Sequence, residues 1–165
     1  TASYLKYETV SKVYSSPMRR CIETASKFCN KTEIERDDRL LEFNYGHAEG
    51  LDYKQLSNQY SKILNEWKNG GDPRFPKGEN TKDVHIRLES FLDDLAKTIE
   101  NNEYKSISIV THNGVIRCLL GYAFGLEQRD WYKLIIPHGI PLEFIYKKNK
   151  FYPTHPKGKF FYHQR

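Results

Sequence analysis

Three residue types at element junctions are suited to holding and processing an anion. In "IVTHNGVIR" (109–117), His112 follows the apolar run Ile107 to Val110, and a second apolar-periodic segment begins just after it. That pattern places the ring at the carboxyl end of a strand and the start of a helix. A protonated imidazole there can donate to a phosphoryl oxygen; a neutral ring hydrogen-bonded in a turn is the ordinary alternative. In "YSSPMRR" (14–20), Arg20 lies one turn into a helix, where its guanidinium can reach back over a strand edge and grip two phosphate oxygens. A solvated surface arginine is the plain alternative, and Arg19 should point elsewhere because helix neighbours do not share a face. Glu42 in "RLLEFNYG" (39–46) follows two leucines and precedes Phe43. Apolar flanks predict partial burial, which raises a carboxyl pKa and suits a general acid, against a structural salt bridge to Arg39 or Arg36. Glu49 reads as a loop carboxylate or cap and Arg117 as structural. His47, His85, His138, His155 and His163 show no spacing that marks a metal site, so no metal and no cofactor is expected.

These side chains need a scaffold of alternating elements. "KVYSS" (12–16) predicts a short strand. Ser16 followed by Pro17 signals a helix start, and Met18, Ile22, Ala25 and Phe28 continue at helical spacing to a stop near Asn30. Residues 2–8 read as the tail of a helix, and a short extended piece is expected around Ile34. Residues 40–50 hold too many Gly and polar residues for a regular element, and 52–68 are predicted helical. The Gly- and Pro-rich stretch 68–80 is a loop. Asn80 or Thr81 then caps a long helix whose buried face is Val84, Leu88, Phe91, Leu92, Leu95 and Ile99. The strand to His112 follows, then a helix through Leu119 and Leu120 to Gly125, and a closing strand at 142–146. Strand–helix alternation predicts an α/β architecture with a mostly parallel sheet, whose ligands bind beyond the carboxyl ends of the strands.

The 165 residues fit one domain with one core. Three cysteines, Cys21, Cys29 and Cys118, match neither a zinc spacing nor a disulfide framework and are expected as reduced, near-core thiols. No apolar stretch approaches the roughly 20 residues of a membrane span, and the opening residues show no signal peptide, so a cytoplasmic protein without membrane contact is expected. The net charge of +5 permits anionic partners. The basic residues are spread along the chain rather than clustered among aromatics, which argues against a nucleic-acid partner.

Taken together, "VYSSPMRRCIETA" (13–25), "RLLEFNYGHAEGLDYKQL" (39–56), "FPKGENTKDVHIRLESFL" (75–92) and "IVTHNGVIRCLL" (109–120) resemble, in order and spacing, the phosphoglycerate mutase-like branch of the histidine phosphatase superfamily. The resemblance implies a three-layer α/β/α fold and phosphoryl transfer through a phosphohistidine. It matches Arg20 to a phosphate ligand, Glu42 to the acid that protonates the leaving oxygen, and His112 to the second histidine, a donor to the phosphate. Asn113 and His138 are possible substrate-binding residues. The segment at about 52–82 would be a lid-like insertion, in which Lys54, Trp67, Arg74 and Lys77 suggest an acidic or aromatic-bearing substrate.

One departure stands out: no Arg-His-Gly, the family's nucleophile turn, occurs in the sequence. The family's first strand would then be missing from these residues. Three situations are open: residues upstream of Thr1, a truncated gene reading, or another segment or chain filling the gap. The expected activity of the intact form is metal-independent hydrolysis of a small phosphate ester, such as a sugar phosphate, phosphoglycerate or a nucleotide-like ester of the α-ribazole type. The alternatives are a mutase-type phosphotransferase or a non-catalytic phosphate-binding module. The 165 residues alone are expected to be inactive, as a monomer or a dimer.

Overall fold

The computed structural model describes residues 10–29, 33–101, 104, 106–148 and 150–154. At its centre lies β1 (Lys12–Ser15), paired in parallel with β2 (Ile34–Arg36) on one side and β3 (Ile107–Val110) on the other. The register sets Ser15 beside both Arg36 and Val110, so β1 and β3 end at the same level. Ser16 N–H continues the ladder onto the Val110 carbonyl at 2.9 Å. Whatever follows each strand therefore emerges on one rim, the rim at which parallel α/β sheets bind ligands. This parallel sheet with its helices is the α/β architecture that the strand–helix alternation predicts.

The two faces of β1 divide the core, because alternate side chains of a strand point opposite ways. Tyr14 packs edge-on against Phe91, ring centroids 5.5 Å apart, in the main cluster with Leu40, Val84, Leu88 and Val115. Val13 and Ser15 face the other way and are fully buried. Helix α1 (Arg19–Ala25) packs against β1 and β3 and buries Cys21 and Ala25.

Helix α1 starts later and stops earlier than the sequence suggests: its N-cap position is Met18, without a side-chain cap, and Phe28 lies beyond its end. Ser16 precedes the cap position by two residues; its hydroxyl accepts from Met18 N–H at 3.4 Å and lies 2.8 Å from His112 Nε2. The helix expected over 52–68 is two helices, α2 (Tyr53–Gln59) and α3 (Ser61–Lys68). Tyr60 breaks them at φ −129°, ψ 31°, and its ring packs edge-on against Phe75. Helix α2 opens with a complete capping box between Asp52 and Gln55.

Helix α4 (Thr81–Asn101) follows the expected stripe, with Val84, Leu88, Phe91 and Leu95 buried and Leu92 and Ile99 packed at the margin. Asn80 is its cap: the Asn80 side chain accepts from Asp83 N–H and the Asp83 carboxylate accepts from Asn80 N–H, both at 3.0 Å. Helix α5 (Asn113–Ala123) follows β3 and buries Val115, Cys118 and Leu120. The closing strand, β4 (Phe144–Lys147), starts two residues and ends one residue later than predicted and pairs antiparallel with β5 (Lys150–Pro153), an element not expected from the sequence. The helical tail expected at 2–8 lies outside the described residues. No helix among the described residues is long and apolar enough to cross a membrane.

Candidate active site

The common rim of β1 and β3 gathers the first two of the three candidate residues. His112 follows β3 with an extended backbone, and its side chain is 2% exposed. Arg20, on the first turn of α1, sends Nη2 to 2.9 Å and Nε to 3.2 Å from His112 Nδ1. A guanidinium only donates, so Nδ1 is the acceptor and the ring proton sits on Nε2. From there it is donated to Ser16 Oγ, 2.8 Å away. The tautomer follows from the company each nitrogen keeps. Burial, then the Arg20 charge, then the Arg87 charge push the His112 pKa down to about 4. At neutral pH the cluster therefore holds a neutral imidazole and a guanidinium. Cys21 Sγ lies 3.5 Å from Nε2 and 3.8 Å from Nδ1, and burial raises its thiol pKa.

Glu42 arrives from the irregular stretch between β2 and α2. Its Oε1 accepts from Phe43 N–H at 3.0 Å, and its Oε2 stands 3.9 Å from His112 Nδ1. The carboxylate is half-buried, as the apolar flanks predict. Its salt-bridge alternative is not what forms: Arg39 pairs with Asp37 and Asp94, and Arg36 is exposed. Gly114 makes room for Glu42, since a Cβ on Gly114 would stand 2.8 Å from Oε1.

Several contacts hold the Glu42 segment. Arg87 donates to the carbonyls of Arg39 and Glu42 and pairs with Glu79 at 2.9 Å. Asn44 exchanges backbone bonds with Glu79, N–H to Oε2 at 3.0 Å and carbonyl to N–H at 2.8 Å. His47 N–H donates to the Pro76 carbonyl at 2.9 Å. Gly46, at φ +54°, lies so close to this carbonyl that a Cβ would reach within 2.2 Å of it. Glu49 accepts from Tyr45 N–H, the loop-capping role expected of it. Tyr45 stacks on Phe43, and burial followed by the Glu42 and Glu49 charges raises its hydroxyl pKa.

The remaining candidates stand further from this cluster. Asn113 opens α5 beside His112, but its amide donates to the Ile136 carbonyl and its oxygen accepts from Arg117. Arg117 also donates to the Trp131 carbonyl, a structural role as expected. His138 is exposed in the turn before Gly139, and no hydrogen bond or ion pair described for the cluster includes it. In the 52–82 segment, Trp67 packs on Phe75 and donates to the Pro73 carbonyl, Arg74 pairs with Asp83, and Lys54 and Lys77 are exposed. Cys21 and Cys118 are buried free thiols and Cys29 is half-buried.

Sequence reasoning overlooks Ser16, read only as a cap, and Gly114, Glu79 and Arg87. For Arg87 a signal exists. It sits three residues after Val84 and four before Phe91, a cation on the apolar stripe of α4. Such a charge needs a partner out of bulk water, and the partly buried Glu79 is that partner.

A guanidinium and an imidazole meeting at a strand rim, with a carboxylate alongside, suit the binding of a phosphoryl group and proton delivery to its ester oxygen. Known proteins are similar to this chain over most of its length. The α-ribazole phosphatase of Shigella flexneri superposes with a TM-score of 0.77 at 19% identity, over 95% of this chain and 78% of that one. Phosphoserine phosphatase 1 of Hydrogenobacter thermophilus is 24% identical over 76% of this chain and 60% of its own length. The 2,3-bisphosphoglycerate-dependent phosphoglycerate mutase of Arthrobacter sp. strain FB24 is 27% identical over 90% of this chain and 71% of its own length. The chain spans 59–71% of the length of such curated relatives. The family model of the histidine phosphatase superfamily, branch 1, matches residues 1–153, from before β1 through β5 and across every residue of the rim cluster. The chain belongs to that superfamily.

Proposed function

We propose that the intact protein is a metal-independent phosphatase of small phosphate esters that works through a phosphohistidine. Arg20 and His112 grip the phosphoryl group, and Glu42 protonates the leaving oxygen. The observation that carries this reading is the meeting of Arg20 and His112 at 2.9 Å with the Glu42 carboxylate 3.9 Å from the same ring nitrogen. His112 acts as a donor rather than as the attacking group, the role the resemblance gives it: Nε2 is held by Ser16, and Nδ1 faces the anion once Arg20 turns to it. The attacking imidazole is thus not supplied by this cluster, and the 165 residues alone are expected to hold a phosphate without turning it over. On phosphate binding, Arg20 swings from Nδ1 to the anion, and the anion's charge favours a proton on Nδ1 that is then donated to it. Asn113 and His138 border the substrate side in this reading, and the 52–82 segment covers it as a lid. The substrate is a small phosphorylated metabolite, met in the cytoplasm without membrane or nucleic-acid partners.

The test is Glu42→Gln in the intact protein. Hydrolysis of an alkyl phosphate should slow by roughly 10²–10⁴-fold, the usual worth of a general acid, while p-nitrophenyl phosphate, whose leaving group needs no proton, should slow far less. Equal rates for wild type and variant on the alkyl ester would remove Glu42 from the role. Activity should survive a chelator and be blocked by vanadate. A mutase-type reading is favoured by the 27% identity to a phosphoglycerate mutase over 90% of the chain. It predicts transfer of the phosphoryl group to an added acceptor alcohol in preference to water.

A further inference from the structure

We propose that Arg87 is a positioning residue for Glu42, acting with Glu79 as a bracket that fixes where the leaving-group acid stands. The inference rests on the role given to Glu42 above and extends it to two residues that do not touch the substrate.

Residues 41–45, which carry Glu42, have no helix or strand ladder to hold them. Backbone that lacks a ladder must find its partners elsewhere. Here one ion pair supplies the partners of the Glu42 carbonyl and of the Asn44 N–H and carbonyl, beside those that Leu41, Phe43 and Tyr45 find in Asp38, Glu42 and Glu49. Arg87 and Glu79 are largely shielded from water, at 17% and 23% side-chain exposure. Nε and Nη2 of Arg87 reach the two Glu79 oxygens at 2.9 and 3.2 Å, a paired contact that a planar guanidinium can make and an ammonium cannot. The same guanidinium donates through Nη1 to the Arg39 carbonyl and through Nη2 to the Glu42 carbonyl, at 3.3 Å. Glu79 holds Asn44 through its Oε2 and its backbone N–H.

The pair thus grips residues 39, 42 and 44, on both sides of the acid and at its own carbonyl. The grip is rooted in rigid structure, because Arg87 stands on α4 between Val84 and Phe91, both buried. A carboxylate that must reach an ester oxygen within hydrogen-bond distance tolerates little drift in its backbone. Loss of the fork releases two carbonyls and one carboxylate together, and the Glu42 segment is the part free to move.

The experiment uses the intact protein with Arg87→Lys and Glu79→Gln, each alone and combined with Glu42→Gln, on an alkyl phosphate and on p-nitrophenyl phosphate. Both single variants should lose roughly 10–100-fold in kcat on the alkyl ester, part of the worth of a general acid, with little change in KM and a much smaller loss on p-nitrophenyl phosphate. In the Glu42→Gln background the same changes should cost almost nothing further, because they act through a group already removed. Equal losses on the two substrates, or losses that multiply in that background, would overturn the bracket while leaving Glu42 in place. If Glu42→Gln alone fails to separate the two substrates, the role of Glu42 falls first. If Arg87→Lys does not fold, Glu79→Gln, which keeps the shape and removes the charge, decides by the same comparison.

Discussion

Arg20 is parked on His112: two of its donors converge on Nδ1, the nitrogen a bound phosphate would need protonated. The ring is consequently neutral at neutral pH, its pKa pushed down from the ordinary 6.5 to about 4 by burial and the Arg20 charge. The sign for stability follows from linkage. Between about pH 6.5 and 4 the unfolded chain takes up a proton at this residue and the folded chain does not. Acidification through that window therefore favours unfolding, and the stability tied to the neutral ring is fully present only above 6.5. Urea midpoints measured from pH 7 to 4 should fall, and fall less steeply in His112→Gln. Proton NMR of the His112 ring should show a midpoint near 4 that rises when vanadate is added. A midpoint of 6.5 in the free protein would contradict the arrangement.

Arg20 makes two directed contacts that a lysine cannot reproduce. Arg20→Ala should weaken vanadate binding to the 165-residue chain by about 10–100-fold, the worth of hydrogen bonds to a charged group. Arg20→Lys should recover part of the charge and little of the affinity. Calorimetric titration gives both numbers, and an unchanged dissociation constant in the alanine variant would remove Arg20 from the anion site.

Gly114 separates position from stability. An alanine there brings its Cβ to 2.8 Å from Glu42 Oε1, which lies at the far end of a flexible side chain and must yield. Gly114 stands in the first turn of α5, so the helix gains at most part of the roughly 1 kcal/mol by which alanine is preferred to glycine in a helix interior. Gly114→Ala should therefore unfold no earlier on heating than the parent, yet lose activity selectively on alkyl phosphates. A melting temperature several degrees lower would mean that the side chain collides with more than the carboxylate.

Gly46 offers the opposite case. Its φ of +54° suits glycine, and a Cβ would press on the Pro76 carbonyl and the Gly78 nitrogen, both backbone atoms. Gly46→Ala should cost about 1–3 kcal/mol, the range for strain of this kind, read as a lower urea midpoint at constant slope.

What the sequence reveals and what it hides divide along range. The stripe Val84, Leu88, Phe91, Leu95 is a local pattern, and α4 follows it closely. The start of α1 is not purely local, because the Ser16 hydroxyl is shared between Met18 N–H and a ring 96 positions away. No glycine or proline marks the break at Tyr60; its ring packs on Phe75, fifteen residues on. Likewise, strand ends advertise Arg20 and His112 by their residue types, and apolar neighbours advertise Glu42. Their supporting residues carry weaker marks: Gly114 reads as an ordinary turn glycine until the carboxylate beside it is seen. Arg87 is visible only as a charge out of place on an apolar face.

The contacts of Gly46 and His47 with Pro76, and of Asn44 with Glu79, join the two feet of the stretch that carries α2 and α3. That stretch is a closed detour: the chain leaves the sheet's rim and comes back to the same spot before entering α4. Closing a longer or shorter detour changes the entropy of the chain only logarithmically with its length. The region can accordingly be recut or lengthened while β1, β3 and α4 keep their places.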